Sequence, residues 1–467
     1  MIPNINTDKY RDDIVGDLKE LISVPSVKGD SGPRRPFGEE PHRALELMLD
    51  KAKALGFDVK NVDGYAGHAE YGDGDEYVGV LVHLDVVPAG DGWEHPPFEG
   101  VEEDGRIYGR GASDNKGPAV AALYCLRAVA DCLKNPKRRL RVIFGTNEES
   151  GFGCVTHYFK KEPLPAVGFS PDAGYPIFNR EKGITTFSIR RSYTGPTSGG
   201  IVKIEGGDAL NKVPDRAKAV FAPDAVREEA EAELRRYAEA AVSPRVSIER
   251  SDDGALVVEA VGVSAHGANP QAGRNAAAFL VDALLRIKDS VSDPRMEDLA
   301  VLQGLLGFET GGESLGIACE DEESGRLTAN WGIIELSDSM IRAEVNVRYP
   351  VTKRLDDLRL AVEGALAGTQ FTVEAHDGME PLYVPADSPL IAALSKAYEE
   401  ATGEKAELKS MGGGTYARSL AGRGVAFGAG FGTVDTHVHQ PDEFVVIDDL
   451  MRHCRISARA MYLLATM

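Results

Sequence analysis

The chain has 467 residues, of which 43% are apolar and 27% charged, so it reads as globular rather than disordered, with a length suited to roughly three domains. Its 52 Lys and Arg stand against 73 Asp and Glu, a net charge of −21. That balance argues against nucleic acid and anionic membrane surfaces as partners.

The opening MIPNINTDKYRDD lacks the apolar core of a signal peptide. No apolar run approaches the roughly 18 residues of a membrane span, so neither feature is expected. Residues 10–21 are amphipathic and helical, 30–40 form a Pro/Gly/Arg loop, and 41–55 resume helical spacing with Leu45, Met48, Leu49, Ala52 and Leu55 on one face. Residues 78–87 are apolar and short, the pattern of a strand covered on both faces. A helix follows over 116–133, with Pro118 in its first turn, where proline is tolerated. The five cysteines, Cys125, Cys132, Cys154, Cys319 and Cys454, lack C-x-x-C spacing and suit a reducing cytoplasm. Cys125 and Cys132, seven apart in the helical pattern, read as buried core thiols. Strands over 140–146 and 166–170, with a helix over 155–161 between them, continue the alternation and predict a mostly parallel sheet.

After about residue 182 the pattern changes. Residues 184–190 and 200–205 alternate like half-solvated strands, and 224–241 form a charged helix with Asp224 as N-cap. A strand over 256–263, a helix over 275–288, a strand over 340–349 and a helix over 355–366 follow. Helical spacing returns over 390–401, 425–431 are apolar and glycine-rich, and 447–464 close the chain as a helix with Asp448 and Asp449 near its start. The simplest architecture is an α/β catalytic domain made of 1–182 and 385–467, interrupted by an α+β lid of two lobes over 183–384.

Ligands gather beyond the C-terminal ends of parallel strands. His83, Glu148, Glu149 and Asp172 all fall at or just past predicted strand ends. A two-metal hydrolytic site needs an anionic ligand between the cations, a His and a carboxylate for each, and a further carboxylate that reaches the attacking water. The candidate ligands are His83, Asp114, Glu149, Asp172 and His439, with Glu148 as base. Asp85, two residues after His83 and on the same strand face, is placed to orient it. The Gly412–Thr415 run lacks the lysine of a phosphate loop.

Eight stretches occur in the order found in one family: VHLDVVPAGDGW, GRGASDNKGP, GTNEESG, FSPDAGYPIFNREKG, SAHGANPQAGRNA, NVRYP, MGGGTYAR and HQPDEF. In these the chain resembles the metal-dependent peptidase family M20, and within it dipeptidases of the PepV type. The resemblance implies two zinc ions, with manganese or cobalt as substitutes for such mixed ligands. Asp114 would bridge them, His83 and Asp172 would complete one site, and Glu149 and His439 the other. Glu148 would be the general base. His266 would stabilise the scissile carbonyl, Arg348 would bind the substrate carboxylate, and Asn211 with the Gly413–Gly414 backbone would add contacts. Taken alone, His266 reads as a turn or N-cap histidine and Arg348 as a surface ion pair.

Three positions depart from the family pattern. Asn147 stands where Asp is usual, Asp442 replaces a common Asn, and His437 lies two residues before His439, on the same face if that segment is extended. The expected function is hydrolysis of short peptides with free termini, including β-alanyl and Xaa-His dipeptides, by a cytoplasmic monomer whose long lid supplies His266 to its own site. An N-acyl amino acid deacylase would use the same machinery. A non-catalytic metal- or peptide-binding protein on the same fold would have no need of Glu148.

Overall fold

A computed structural model describes residues 3–194, 200–240 and 245–467. The chain divides into two compact units, Met1–Glu181 with Leu382–Met467, and Lys182–Pro381.

The first unit opens with α1 (Arg11–Ile22), α2 (Glu39–Ala54), β1 (Asp58–Val62), β2 (Ala66–Tyr71) and β3 (Tyr77–His83). Short strands β4 (Val101–Glu103) and β5 (Arg106–Tyr108) precede α3 (Gly117–Cys132), β6 (Arg139–Gly145), α4 (Gly153–Lys161), β7 (Val167–Ser170), β8 (Ala173–Gly174) and β9 (Ile177–Glu181). The second unit runs β10 (Gly183–Ser192), β11 (Ile201–Gly206), β12 (Arg216–Phe221), α5 (Glu228–Ala240), β13 (Arg245–Arg250), β14 (Leu256–Val261), α6 (Ala276–Leu285) and α7 (Arg295–Leu305). It continues through β15 (Glu320–Asp321), β16 (Gly325–Arg326), β17 (Thr328–Leu336), β18 (Met340–Tyr349), α8 (Leu355–Ala365) and β19 (Thr372–Met379). The first unit then resumes with β20 (Leu382–Tyr383), α9 (Pro389–Thr402), β21 (Leu408–Met411), β22 (Gly424–Ala426), β23 (Ala429–Gly430), β24 (Phe444–Val446) and α10 (Ile447–Thr466).

The main sheet of the first unit has the order β1-β2-β6-β3-β7-β22-β9-β20, with β21 beside β9. Its centre, β6-β3-β7-β22, is parallel, as the alternation predicts. The β1-β2 edge and the β22-β9-β20 side pair antiparallel. Every residue of β3 is buried. Val78, Val80 and Val82 join the apolar core with α3 and α10, while Leu81 packs with Ile143 and Tyr158. Burial on both faces explains the unbroken apolar run. The parallel register sets His83 beside Gly145, so the segments after β3, β6 and β7 leave the sheet at one edge.

The second unit is built on an eight-stranded antiparallel sheet, β13-β14-β12-β11-β17-β18-β10-β19. Two four-stranded halves meet at β11 and β17 through Ile204↔Leu336, Glu205↔Glu335 and Gly206↔Ile334. They share one core that includes Phe187, Leu256, Leu284, Trp331 and Val362, so the two lobes are halves of a single layer.

Two sequence expectations require correction. Asp224 does not cap a helix: it has φ 63° in a turn after Pro223, and α5 begins at Glu228. The first turn of α5 carries Glu228, Glu229 and Glu231, which suit the positive end of a helix. Of the predicted helix 224–241, residue 241 lies outside the described residues. Cys125 is buried, but Cys132, the last residue of α3, is exposed. Among the described residues no helix is long and apolar enough to cross a membrane.

Two buried histidines away from the sheet edge make stability pH-dependent. Arg141 Nη1 donates to the Tyr158 hydroxyl oxygen at 2.9 Å, so the Tyr158 proton turns to His68 Nδ1 at 2.7 Å. Burial, then the Arg141 charge, pulls His68 down to about 4, and burial pulls His453 down to about 3. Both rings stay neutral in the folded state, while the unfolded chain takes protons below the ordinary value of 6.5. Their contribution is therefore complete above pH 6.5 and declines as pH falls toward about 4, by up to roughly 1.4 kcal/mol per pH unit for each ring. Thermal unfolding followed across this window should show a falling midpoint, with a shallower slope in His68→Gln and His453→Gln. Slopes equal to wild type in both variants would contradict this assignment.

Candidate metal centre

The segments leaving β3, β6 and β7 at one sheet edge bring His83, Glu148, Glu149 and Asp172 together. Asp114 joins them from the irregular turn Ala112–Lys116, which leads into α3. His439 reaches the same place from the loop before β24. The ring of His83 is fully buried. The Asp85 carbonyl oxygen, 3.0 Å from His83 Nδ1, can only accept, so Nδ1 carries the proton. The other nitrogen, Nε2, then presents a lone pair to Asp114 Oδ1 at 2.9 Å and Asp172 Oδ1 at 3.5 Å. A lone pair facing two carboxylate oxygens is stable only with a proton or a cation between them.

The other half is built the same way. His439 Nε2 lies 3.1 Å from Asp114 Oδ2 and 3.2 Å from Glu149 Oε2. The two oxygens of Asp114 thus face different imidazoles. Glu149 Oε1 is buried without a hydrogen-bond partner. Ligand atoms of His83, Asp114 and Glu149 lie within 4.8 Å of one another, as do those of His83, Glu148 and Asp172.

The charges agree with the geometry. Burial alone would lower the His83 imidazole, but Asp172, Asp114 and Asp85 push it well above its ordinary value. Asp114 and Glu149 push His439 up to about 10. Burial and then Asp172 raise the Glu148 carboxyl well above the usual range, and burial also raises Glu149 and Asp172. Burial would raise Asp114 as well, yet the imidazoles of His439 and His83 hold it below its ordinary value. Crowded carboxylates, two imidazoles and an orphaned carboxylate oxygen form a donor set that fits divalent cations.

Supporting residues set this geometry. The Asp85 carboxylate was expected to orient His83, and its role is wider. It accepts from Glu148 N at 2.9 Å to each oxygen and from Glu149 N at 3.1 Å, while Oδ1 lies 3.6 Å from His83 Nδ1. Asn115 Nδ2 donates to Asp172 Oδ1 and to the Pro171 carbonyl, both at 2.9 Å. Asn115 lies inside the quoted GRGASDNKGP stretch, but nothing in its spacing identifies its partner. Asn147 donates to Ser150 Oγ at 2.5 Å and accepts from Gly153 N at 3.1 Å, shaping the turn after Glu149.

His437 does not share a face with His439, because the segment is not extended. Both residues have left-handed backbones, φ 56° and 62°, and Gln440 N donates to the His437 carbonyl at 2.9 Å. The His437 ring turns to Phe444, with centroids 5.8 Å apart. His95 stacks on Tyr108 and pairs with Asp442 at 3.0 Å and Glu103 at 3.1 Å, which gives the Asp442 departure a local partner. A cavity of about 510 Å³ opens beside the cluster, lined by Asp114, Asp172, Tyr175, Phe178, Phe431 and Leu450 among others. The Gly413 carbonyl accepts from Arg418 Nη2 at 3.0 Å, and Arg418 pairs with the buried Glu181 at 2.7 Å. A Cβ on Gly414 would meet Arg418 Nε at 2.7 Å, so a larger residue there would displace the Arg418 side chain.

The second unit holds the remaining candidates. Gly267 N donates to the Asn211 carbonyl at 2.6 Å, and Lys212 forms a β-bridge with His266. His266 is an exposed turn residue whose Nδ1 accepts from Ala268 N at 3.2 Å, which places the proton of the neutral ring on Nε2. Thr328 Oγ1 donates to the Ala268 carbonyl at 3.5 Å, and Thr328 sits opposite Arg348 across β17 and β18. Arg348 is 6% exposed, so it lies below the surface rather than on it, and its Nε donates to Asn346 Oδ1 at 3.0 Å.

The sequence matches peptidase family M20/M25/M40 over residues 79–463. It is 39% identical over 463 residues to the putative dipeptidase YtjP of Bacillus subtilis, covering 98% of each chain. An M20 family metallo-carboxypeptidase from Sulfolobus solfataricus has a similar fold, with TM-score 0.60, 17% identity, and coverage of 97% of this chain and 99% of that one. Human carnosine dipeptidase 1 aligns with TM-score 0.57 and 17% identity over 100% of both chains. From the family match and the full-length likeness, the chain belongs to peptidase family M20 and is an enzyme, a metallopeptidase.

Proposed function

We propose that the chain is a dinuclear metal-dependent dipeptidase acting on short peptides with free termini. The observation that carries this reading is Asp114, whose two oxygens face two imidazoles from separate segments, the arrangement of a carboxylate shared by two cations. His83 and Asp172 would hold one cation, and Glu149 and His439 the other. The bound cations, zinc or else manganese or cobalt, would polarise the scissile carbonyl and acidify a water.

Glu148 takes the proton of the attacking water and passes it to the leaving amine. Asp85 fixes the Glu148 backbone through both of its oxygens. His266 offers its Nε2–H to the developing oxyanion. Arg348, aimed by Asn346, takes the substrate carboxylate with its guanidinium fork. Asn211 and the Gly413–Gly414 backbone add polar contacts. The cavity beside Asp114 has the size of a small-ligand site. The dipeptidase names of relatives such as the Bacillus subtilis protein point to the same substrate class. The chain acts as a monomer, His266 serving its own site, in the reducing cytoplasm that suits five unpaired cysteines.

Purified chain loaded with zinc or manganese should hydrolyse dipeptides from a panel that includes β-alanyl and Xaa-His members, and should act far more slowly on their N-acetylated forms. Faster cleavage of the acetylated forms would make it a deacylase. An intact panel in the presence of bound cations would sink the reading.

A further inference from the structure

Glu443 is fully buried and takes no part in the chemistry above. Its oxygen Oε1 accepts from Ser113 N and Asp114 N, both at 3.1 Å. Its Oε2 accepts from Gly111 N at 3.1 Å and from Arg110 Nη1 at 2.7 Å. Both oxygens are thus occupied by N–H donors, so Glu443 offers neither to a cation. All four donors belong to the short segment that carries Asp114, while Glu443 itself lies four residues after His439.

Arg110, 1% exposed, extends the link. It donates to the carbonyls of Gln440 and Ala89, both at 3.2 Å, and its guanidinium sits 5.1 Å from the Trp93 ring centroid. The loop it grips needs such a hold. His437, His439 and Asp442 are non-glycine residues at φ 56°, 62° and 55°, a region that disfavours ordinary side chains. Such a conformation persists only where its surroundings over-determine it. Here β24 pairs with β5, Ser113 Oγ donates to the Phe444 carbonyl at 2.8 Å, and the Arg110–Glu443 pair closes the remaining side.

We propose that Glu443, backed by Arg110, is a positioning residue that sets the spacing between Asp114 and His439, and so tunes the cation held by Asp114, Glu149 and His439. The inference rests on the dinuclear reading of the site. His83 and Asp172 leave the ends of β3 and β7 independently of this link, so their cation depends on it less.

Glu443→Gln tests the idea. The amide NH2 must face either the Gly111 and Arg110 donors or the Ser113 and Asp114 donors, so half of the hold is lost in either orientation. Cobalt(II) binding, followed by competition with a chelator and by the visible d–d bands, reads each site directly. Wild type should bind two cobalt ions per chain. In Glu443→Gln one of the two affinities should fall about 10- to 100-fold with altered bands, as for other residues that orient metal ligands, while the second changes far less. Two unchanged affinities in a folded variant would overturn the positioning role and leave the dinuclear reading intact. If wild type binds no cobalt stoichiometrically, both fall. If circular dichroism shows Glu443→Gln unfolded, Arg110→Lys decides instead: it keeps the charge but loses the fork, and the same site should weaken by a smaller factor. Unchanged affinities in that variant would overturn the proposal.

Discussion

Replacing Glu148 with alanine is expected to lower kcat on a dipeptide by about 10²- to 10⁴-fold, the usual range for a general base, while the chain keeps two divalent cations. The physical basis is the contrast between adjacent carboxylates. Asp85 anchors both backbone amides, yet Glu149 turns to His439 while Glu148 turns toward His83 and Asp172. Burial and Asp172 raise the Glu148 carboxyl, which makes its conjugate base a better proton acceptor than a solvated carboxylate. Glu148 also stands within 4.8 Å of ligand atoms on His83 and Asp172, so the same variant tests a second role. Metal content measured beside kcat separates the two. Loss of one cation together with activity would make Glu148 a ligand, and full activity would remove it from the mechanism.

Asp114→Ala should have the larger effect on metal. Both imidazoles lose their shared carboxylate, and neither remaining half has more than one imidazole and one assigned carboxylate. Metal content should drop from two per chain to less than one, and peptide hydrolysis should fall to background. Stability provides a second readout. A ligand that binds only the folded state stabilises it by about 2.7 kcal/mol at a hundredfold excess over Kd. Zinc or manganese should therefore raise the thermal midpoint of wild type by several degrees and leave that of Asp114→Ala unmoved. An equal metal-induced shift in the two proteins would place the cations elsewhere.

Much of this site is legible in the sequence, for a simple reason. A parallel sheet buried on both faces is written as short apolar runs, and its active edge is where those runs stop. His83 ends β3, and Glu148 and Asp172 follow β6 and β7 closely, so strand ends alone group them. Asp114 and His439 are different. They sit on irregular backbone, and only their motifs single them out. The contacts that fix them are less visible still: Glu443 reaches Arg110 across 333 positions, and Asn115 reaches Asp172 across 57. Hydrogen bonds of that separation leave no periodicity to read.

Where structure and sequence pattern diverge, the causes are local. The β1–β2 hairpin has no apolar signature at its start because β1 is DVKNV, a polar edge strand with only Val62 buried. Asp224 looked like a cap because capping chemistry and turn chemistry use the same side chain. His437 and His439 would share a face only in extended backbone, and their positive φ angles show that this condition is not met.

The two-cation site is tested most directly by titrating metal-free chain with zinc or manganese against hydrolysis of one good dipeptide substrate. A dinuclear site gives no turnover without metal and a rate that reaches its plateau at two equivalents per chain. Full turnover by the metal-free protein, or a plateau at one equivalent, would contradict it.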